Sequence, residues 1–424
     1  MHHSAKYSLK GAQAYLVTLM KWLCAALIVG SVCGVVGVAF HHLVEEATHL
    51  RQQHGWLLWL LPLGGVTIVF LYRRCGVPRD RGTNLVIESV RSGEKLPLVM
   101  APLIFVSSVI THLLGGSAGR EGAALQIGGS IGAWMGRRVK LSPPDLRVMT
   151  MCGMSAVFSA VFGTPITAAV FALEVVNVGL FYYAAMAPCL MAAAVSFGVA
   201  LALGVSPVGF VVPGFPALSP MAVAQVVVLG ALSALVSILF CQGMHLASSL
   251  YQKFFQNPYL RAAVGGCLVV AVSLALGTRD YNGAGMDVIT RAINGEAFPV
   301  AFLLKLLLTA LTLGAGFKGG EIVPSFFVGA TFGCVVGPLL GLDPGFAASI
   351  GLAAVFCGVV NCPLASLLLC VELFGSGSGV HQLLLYAIAC AVSYMLSGYH
   401  SLYSGQKFVS SKLRARSRIH AGRE

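Results

Sequence analysis

Long apolar runs with almost no charge are the feature that most restricts how this chain can fold. Charged residues make up 10% of the 424 residues and hydrophobic residues 57%, whereas a soluble globular chain carries about 25% charged residues. This excludes a cytosolic enzyme, a nucleic-acid-binding protein and a disordered chain, and it predicts an all-α polytopic membrane protein. The apolar segments lie at residues 16–40, 56–72, 97–115, 148–176, 180–205, 221–247, 261–277, 298–316, 326–342, 347–374 and 382–397.

Many of these segments are shorter than the roughly 20 residues that a helix needs to cross a bilayer. The chain also contains 50 glycines and 18 prolines. Glycine lets helices approach closely, and it lets the backbone unwind where a segment lines a cavity. Short and interrupted helices are typical of transporters that bind their substrate near the middle of the membrane. The first apolar stretch, residues 22–40, is too long for a signal peptide and is predicted to be a retained helix.

The 27 Lys and Arg residues outnumber the 15 Asp and Glu residues, for a net charge of +12. The basic residues collect in short loops and in the tail, residues 407–424. The positive-inside rule accounts for such loops and tails better than a nucleic-acid partner does. It predicts a multi-pass protein of the cell (inner) membrane with both termini in the cytoplasm. The 12 cysteines show no metal-binding spacing, so no metal and no cofactor is expected.

Motifs in the first half of the chain recur in the second half. Gly119-Arg120-Glu121-Gly122 resembles Gly319-Gly320-Glu321-Ile322 at an offset of 200 residues. Ordered matches at a nearly constant offset predict a duplicated membrane domain, and inverted repeats are a common transporter solution to alternating access. The predicted units are a first membrane repeat (1–206), a Pro-rich linker (207–220), a second membrane repeat (221–406) and a basic cytoplasmic tail (407–424).

Glu121 and Glu321 are the main functional candidates, because an acid inside an apolar segment is costly. Each follows a Gly-rich stretch and precedes a helical run, where free N–H groups and the positive end of the helix attract an anion. A carboxylate in that place competes with an anion for the same donors, and protonation ends the competition. This pattern predicts coupled binding of protons and anions. The alternative is that Glu121 caps its helix and pairs with Arg120.

The second Gly-rich motif leads into Pro324, a residue that suits a helix start because its missing N–H costs nothing there. The N–H groups of Ile322 and Val323 are therefore predicted to be free to face an anion. Lys318 either attracts the anion or neutralises Glu321.

Two further acids, Glu174 and Glu372, each stand nine residues after a proline at the end of an apolar helix. We expect both to be structural acids that pair with a basic loop. Lys305 is a lone cation within an apolar segment. It is expected to pair with one of these acids or to cap backbone carbonyls.

The chain resembles the CLC family of anion channels and proton-coupled antiporters over nearly its whole length. The resemblance rests on Gly119-Arg120-Glu121-Gly122 followed by Gln126-Ile127-Gly128-Gly129, on Thr164-Pro165 leading to Phe171 and Glu174, and on Gly319 to Pro324. It implies an inverted repeat of tilted and partly re-entrant helices that forms a homodimer with one anion pathway per subunit. It also implies that Glu121 is the gating glutamate and that the N–H groups of Ile322 and Val323 line the central anion site.

Three departures from the chloride-type pattern resemble the fluoride-exporting branch of that family. Gly82-Thr83-Asn84 stands where chloride-type members carry Gly-Ser-Gly-Ile-Pro, although Thr83 keeps a hydroxyl. Val175 occupies the place of their internal proton-transfer acid, and Glu321 adds an acid to their Gly-x-Phe-x-Pro segment. The resemblance further implies a tyrosine at the inner anion site, for which Tyr403 is the candidate and Tyr399 the alternative.

The sequence thus predicts a fluoride/proton antiporter, not an enzyme, whose partners are fluoride or chloride, protons and the lipid bilayer. One alternative is a chloride/proton antiporter or passive chloride channel of the same fold. Another is an intramembrane serine protease, suggested weakly by Gly153-Met154-Ser155-Ala156, which lacks the Gly after Ser. The candidate residues are Glu121 and Glu321 for gating and proton coupling, Thr83, Asn84, Ile322, Val323 and Tyr403 for anion binding, and Gly82, Gly119, Arg120, Gly122, Gly319 and Gly320 for the filter backbone.

Overall fold

The computed structural model describes residues 2–77, 81–375, 380–409 and 411–412, and most of the predicted tail lies outside the described residues. Two short strands, β1 (Asn177–Val178) and β2 (Lys407–Phe408), pair in parallel. The helices are α1 (His2–Gln53), α2 (Leu61–Arg74), α3 (Thr83–Ser92), α4 (Met100–Leu113), α5 (Glu121–Arg138), α6 (Pro143–Phe162), α7 (Pro165–Glu174), α8 (Met186–Ala202), α9 (Pro220–Phe254), α10 (Pro258–Leu276), α11 (Met286–Ile293), α12 (Ala301–Gly314), α13 (Ile322–Val336), α14 (Pro344–Val360), α15 (Pro363–Phe374) and α16 (Val380–Leu396).

Seven helical stretches among the described residues are long and apolar enough to cross a membrane, and six shorter apolar helices of 10–17 residues accompany them. This mixture confirms the predicted all-α polytopic architecture. The short helices include α7 and α15, each of which begins at a proline whose missing N–H costs nothing at a helix start.

Two predicted apolar segments are each divided into two helices. Residues 148–176 contain the end of α6 and all of α7, and the chain turns between them at Gly163, whose φ is +76°. Residues 347–374 contain most of α14 and all of α15, and the turn there lies at Asn361, whose φ is +58°. Left-handed backbone at a helix C-terminus ends the helix although the hydrophobicity continues. The short helices α3 and α11 were missed because they are amphipathic rather than apolar.

The helices form two sets of eight that pack in the same way. Helix α1 contacts α4, α6 and α8, and α9 contacts α12, α14 and α16 in the same order. Between the sets, α2 packs on α10, α5 on α13 and α7 on α15. Contacts between equivalent elements are what a two-fold axis produces. The predicted linker lies between α8 and α9, except that Pro220 is the first residue of α9.

Glycines bring the backbones of the central helix pairs into contact. A Cβ on Gly128 of α5 would lie 2.0 Å from the carbonyl oxygen of Gly153 on α6. A Cβ on Gly351 of α14 would lie 2.3 Å from the carbonyl oxygen of Gly329 on α13. Only glycine fits at such crossings, which is how small residues let helices pack closely in a membrane. The two crossings hold the N-termini of α5 and α13 at fixed positions.

Candidate functional site

The two Gly-rich motifs meet at the centre of the molecule. The N–H of Gly119 donates to the carbonyl of Gly320, and the N–H of Gly320 donates to the carbonyl of Gly119, both at 2.7 Å. A Cβ on Gly320 would lie 2.5 Å from the amide nitrogen of Gly122. This bridge places the N-termini of α5 and α13 side by side, so that the positive ends of two helices converge.

Glu121 is the first residue of α5, and its side chain is 1% exposed. Its Oε2 accepts a hydrogen bond from the N–H of Arg120 at 3.0 Å, and its Oε1 lies 3.8 Å from Nε of Arg120. The N–H of Val323 also interacts with this carboxylate. The expected contact with Arg120 is therefore present. The carboxylate also lies at one of the N–H groups that the sequence assigns to an anion.

Glu321 stands at the N-cap position of α13. It lies close to residues 82–84, which we call the first filter segment. A Cβ on Gly122 would lie 3.3 Å from both Oε2 of Glu321 and Oγ1 of Thr83. The Thr83 hydroxyl, which is buried, donates to the carbonyl of Gly122 at 3.4 Å. Ile322 and Val323 follow as the first two residues of α13, and both are buried. The side chain of Lys318 stacks over the ring of Tyr72, with Nζ 4.6 Å from the ring centroid.

The first filter segment begins at Gly82, whose φ of +59° requires a residue without a Cβ. Asn84 then binds the C-terminal segment, because its Oδ1 accepts a hydrogen bond from the N–H of Gly405 at 2.8 Å. The Asn84 side chain also carries two N–H donors. This contact brings the first filter segment to within two residues of Tyr403.

The structure separates the two candidate tyrosines. Tyr403 is 2% exposed, and its hydroxyl has no hydrogen-bond partner among the described residues. The hydroxyl lies within electrostatic range of Glu321 and Glu121. Tyr399 is 48% exposed, and its hydroxyl pairs with that of Ser411 at 2.9 Å. A buried hydroxyl without a partner is rare and calls for an explanation, which a bound anion would supply at Tyr403.

Each filter acid lines its own cavity. The Glu121 vestibule has a volume of about 590 Å³ and is lined by Glu121, Arg120 and Val323 among others. The Glu321 vestibule has a volume of about 360 Å³ and is lined by Glu321, Thr83, Asn84, Gly82 and Gly319 among others. The two cavities share no lining residue among the described residues. The candidate residues that line a cavity are therefore divided between two openings. The other candidates line neither cavity: Gly119, Gly122, Gly320, Ile322 and Tyr403.

Gln126 is a further candidate site residue, which the sequence indicated only through the family resemblance. Its side chain is buried and lines the Glu321 vestibule. Its Nε2 donates to the carbonyl of Gly122 at 3.3 Å, while its Oε1 has no partner within the described chain. The sequence could have identified Gln126, because it stands one helical turn after Gly122 and therefore lies on the same face of α5. Ser404 lines the same vestibule.

Glu174 binds a helix start and not a basic loop, so its expected partner was wrong. Its two carboxylate oxygens accept hydrogen bonds from the N–H groups of Leu364, at 3.2 Å, and Ala365, at 2.9 Å. These are the free donors at the start of α15, not a basic loop. Val175, at the position of the internal proton-transfer acid of chloride-type members, is fully buried.

Glu372 makes the matching contact in the opposite direction. Its carboxylate accepts hydrogen bonds from the N–H groups of Ile166 and Thr167 at the start of α7, both at 2.8 Å. The expectation of a basic loop was wrong here too, because free N–H groups at a helix start attract a carboxylate without any cation.

Lys305 caps backbone carbonyls, which confirms one of its two expected roles. Its Nζ donates to the carbonyl of Gly283 at 2.6 Å and to that of Tyr281 at 3.2 Å.

Ser155, the residue of the protease alternative, is buried, and its hydroxyl donates to the carbonyls of Cys152 and Cys189 at 3.0 and 3.2 Å. That hydroxyl joins α6 to α8.

The chain is similar to several known proteins over most of its length. It is 36% identical to a chloride/fluoride channel protein of Pseudomonas syringae pv. tomato, over 93% of this chain and 88% of that protein. It is 25% identical to the H(+)/Cl(-) exchange transporter ClcA of Vibrio cholerae, over 90% and 88%. Among solved structures, a CLC-type fluoride/proton antiporter superposes with a TM-score of 0.88 and 32% identity, covering 92% of this chain and 98% of that one.

A slow cyanobacterial Cl⁻/H⁺ antiporter shares the fold, with a TM-score of 0.75 at 19% identity over 89% of this chain and 94% of that one. The sequence profile described as voltage gated chloride channel matches residues 64–398. With the helical architecture, these matches confirm the predicted fold and the multi-pass membrane nature of the protein. The chain belongs to the voltage-gated chloride channel family, the CLC family.

Proposed function

We propose that this protein is a fluoride/proton antiporter that exports fluoride from the cell. The observation that carries the proposal is the pair of acids, Glu121 and Glu321, at two helix N-termini joined by the Gly119–Gly320 bridge. Each acid lines a different vestibule. An ion that moves from one vestibule to the other passes both carboxylates.

The anion is held by donors of several kinds. The N–H groups of Ile322 and Val323 stand at the start of α13, where unpaired backbone donors and the helix dipole favour negative charge. The hydroxyl of Tyr403 and the amide of Asn84 contribute side-chain donors beside the Glu321 vestibule. A hydrogen bond to a charged group contributes about 1.5–3 kcal/mol. Three or four such bonds replace part of the hydration that fluoride loses.

Proton coupling follows from competition for the same donors. The ionised Glu121 carboxylate interacts with the N–H groups of Arg120 and Val323. Once it is protonated, its attraction to these donors weakens and an anion can take its place. Two carboxylates and an anion in one pathway repel each other unless at least one carboxylate holds a proton. Anion passage therefore requires proton binding, and we propose that the proton then moves in the direction opposite to the anion.

The second acid supports fluoride over chloride. Fluoride is small and accepts strong hydrogen bonds, and a protonated carboxyl group donates a short, strong one. Glu321 lies beside the Thr83 hydroxyl and the Gly122 backbone, so its protonated form has an anion position within reach. The larger and weakly accepting chloride ion gains less from such a donor. Glu321 also supplies the second proton-binding group that is missing at Val175.

We further propose that the protein works as a homodimer in the inner membrane with both termini in the cytoplasm. The excess of Lys and Arg in short loops and in the tail supports this orientation. Helix α1 then carries the chain from the cytoplasm to the outer face, and the Glu121 vestibule, which is lined by the C-terminal part of α1, opens outward.

Anion replacement in liposomes tests the proposal. Purified protein is reconstituted into vesicles loaded with potassium fluoride or potassium chloride, and efflux of each anion is followed with an ion-selective electrode. We expect fluoride to leave much faster than chloride. Ser155→Ala is a matched control that alters only a packing hydroxyl, and its efflux should equal that of the wild type. Equal rates for the two anions would refute fluoride selectivity and favour a chloride transporter of the same fold.

A further inference from the structure

Three side chains that can bind a metal ion lie together on α1, outside the two Gly-rich motifs. The ligand atoms of His41, His42 and Glu45 all lie within 4.8 Å of one another. The group stands near the C-terminal end of α1, and His41 and Glu45 line the Glu121 vestibule. Proton coupling at the filter makes no use of these three residues.

The helical spacing places Glu45 beside both histidines. His41 and Glu45 are four residues apart and His42 and Glu45 are three apart, so they are neighbours on the surface of the helix. Nε2 of His41 lies 3.3 Å from Oε2 of Glu45. Two ligands that are each about 2.0 Å from a tetrahedral zinc ion lie about 3.3 Å apart. This pair already has the separation that a shared metal ion requires.

A backbone carbonyl fixes the tautomer of His41. Nδ1 of His41 lies 3.3 Å from the carbonyl oxygen of Val161 on α6. A carbonyl only accepts hydrogen bonds, so Nδ1 carries a proton, and in the neutral ring Nε2 keeps the lone pair that a metal ion binds. A histidine whose second ring nitrogen donates to a carbonyl is the usual arrangement of a metal ligand, because that bond orients the ring.

We propose that His41, His42 and Glu45 bind a divalent transition-metal ion, with Zn²⁺ as the best match. Two imidazole nitrogens and one carboxylate oxygen suit zinc, nickel or copper, whereas calcium and magnesium prefer oxygen ligands. Three protein ligands leave a fourth position for water.

The site stands beside the route from Glu121 to solvent. The same vestibule is lined by His41 and Glu45 on one side and by Arg120 and Glu121 on another. A bound Zn²⁺ narrows this opening and adds positive charge to it. We therefore infer that the metal slows exchange when it is supplied from the face to which this vestibule opens.

Metal binding is measured first without transport, so its outcome does not depend on the proposed fluoride activity. Calorimetric titration with Zn²⁺ uses full-length purified protein in which His2 and His3 are replaced by Gln, because that N-terminal pair could also bind the metal. We expect one Zn²⁺ per chain and no binding of Mg²⁺. His41→Gln and Glu45→Gln should each weaken Zn²⁺ binding by about tenfold or more.

His49→Gln is the matched control. His49 lines the same vestibule four residues after Glu45, but its Nδ1 is engaged by Nε2 of Gln53 at 3.3 Å and it lies outside the three-residue set. Its loss should leave Zn²⁺ affinity unchanged. His42→Gln alters a more exposed ligand and keeps the test valid if His41→Gln fails to fold.

Anion efflux from liposomes gives the second readout. Zn²⁺ should slow efflux through the His49→Gln protein and not through the Glu45→Gln protein. Absence of Zn²⁺ binding by the parent protein would overturn the proposal. So would a Zn²⁺ affinity of the His42→Gln and Glu45→Gln variants equal to that of the parent.

Discussion

Glu174 and Glu372 bind each other's helices: each carboxylate accepts two hydrogen bonds from the first N–H groups of the short helix that carries the other acid. The bonds measure 2.8–3.2 Å. Reciprocal contacts of this kind require a two-fold relationship between the halves. The Gly119–Gly320 bridge is reciprocal in the same way. The pathway is thus assembled around one pseudo-two-fold axis.

Removing the Glu174 carboxylate should destabilise the fold without uncoupling transport. Glu174→Ala leaves two N–H groups at the start of α15 without acceptors, and loss of a helix cap costs about 0.5–2 kcal/mol. We expect a lower midpoint of thermal unfolding in detergent. Glu174→Gln keeps one acceptor oxygen and should lose about half as much.

Proton transport by the Glu174→Gln protein provides the control for this interpretation. The variant should still exchange protons for fluoride at a rate near that of the wild type. Loss of proton movement with normal thermal stability would instead assign Glu174 to the proton pathway.

Tyr403→Phe should weaken anion binding. The variant keeps the ring but removes the hydroxyl that has no partner among the described residues. A lost hydrogen bond to a charged ligand costs about 1.5–3 kcal/mol, which corresponds to roughly 10–100-fold in affinity. Fluoride titration of the purified protein measures this change. The matched control is Tyr399→Phe, which removes an exposed hydroxyl and should have no effect; equal losses in the two variants would count against Tyr403 as a ligand.

Gly128→Ala should destabilise the protein, because its Cβ would lie 2.0 Å from the Gly153 carbonyl oxygen. Either α5 and α6 separate or the helix start at Glu121 shifts, so both unfolding temperature and transport rate should fall. Gly198→Ala on α8 is the control, since open space surrounds that position. There alanine should stabilise the helix by up to about 1 kcal/mol. If Gly128→Ala is as stable and as active as the wild type, the close crossing of α5 and α6 is not needed.

Much of the candidate site could be predicted from the sequence because its residues lie close together along the chain. A Gly-rich turn, an acid and a helical run occupy a few consecutive residues around Glu121 and again around Glu321. The match between the two motifs indicated a duplication, and the structure joins them through reciprocal hydrogen bonds.

The partners of Glu174 and Glu372 could not be read in this way. Each acid binds backbone N–H groups about 190–205 residues away. Because nearly every residue type has a backbone N–H, the sequence does not indicate which of these groups an acid binds. The metal-binding group on α1 was missed for a different reason. The predicted segment 16–40 stopped before His41, whereas α1 continues to Gln53. The spacing of His41 and Glu45 becomes informative only when both are known to be helical.

The central claim is that protons and fluoride use one pathway in turn, and that Glu121 couples the two by binding and releasing a proton. Its most direct test is proton uptake into liposomes driven by an outward fluoride gradient, measured with a pH electrode. Wild-type protein should move protons inward against their gradient. Glu121→Gln should move none, because an amide keeps the shape of the side chain but cannot carry the proton. Continued proton uptake by the Glu121→Gln protein at the wild-type ratio to fluoride would contradict the account.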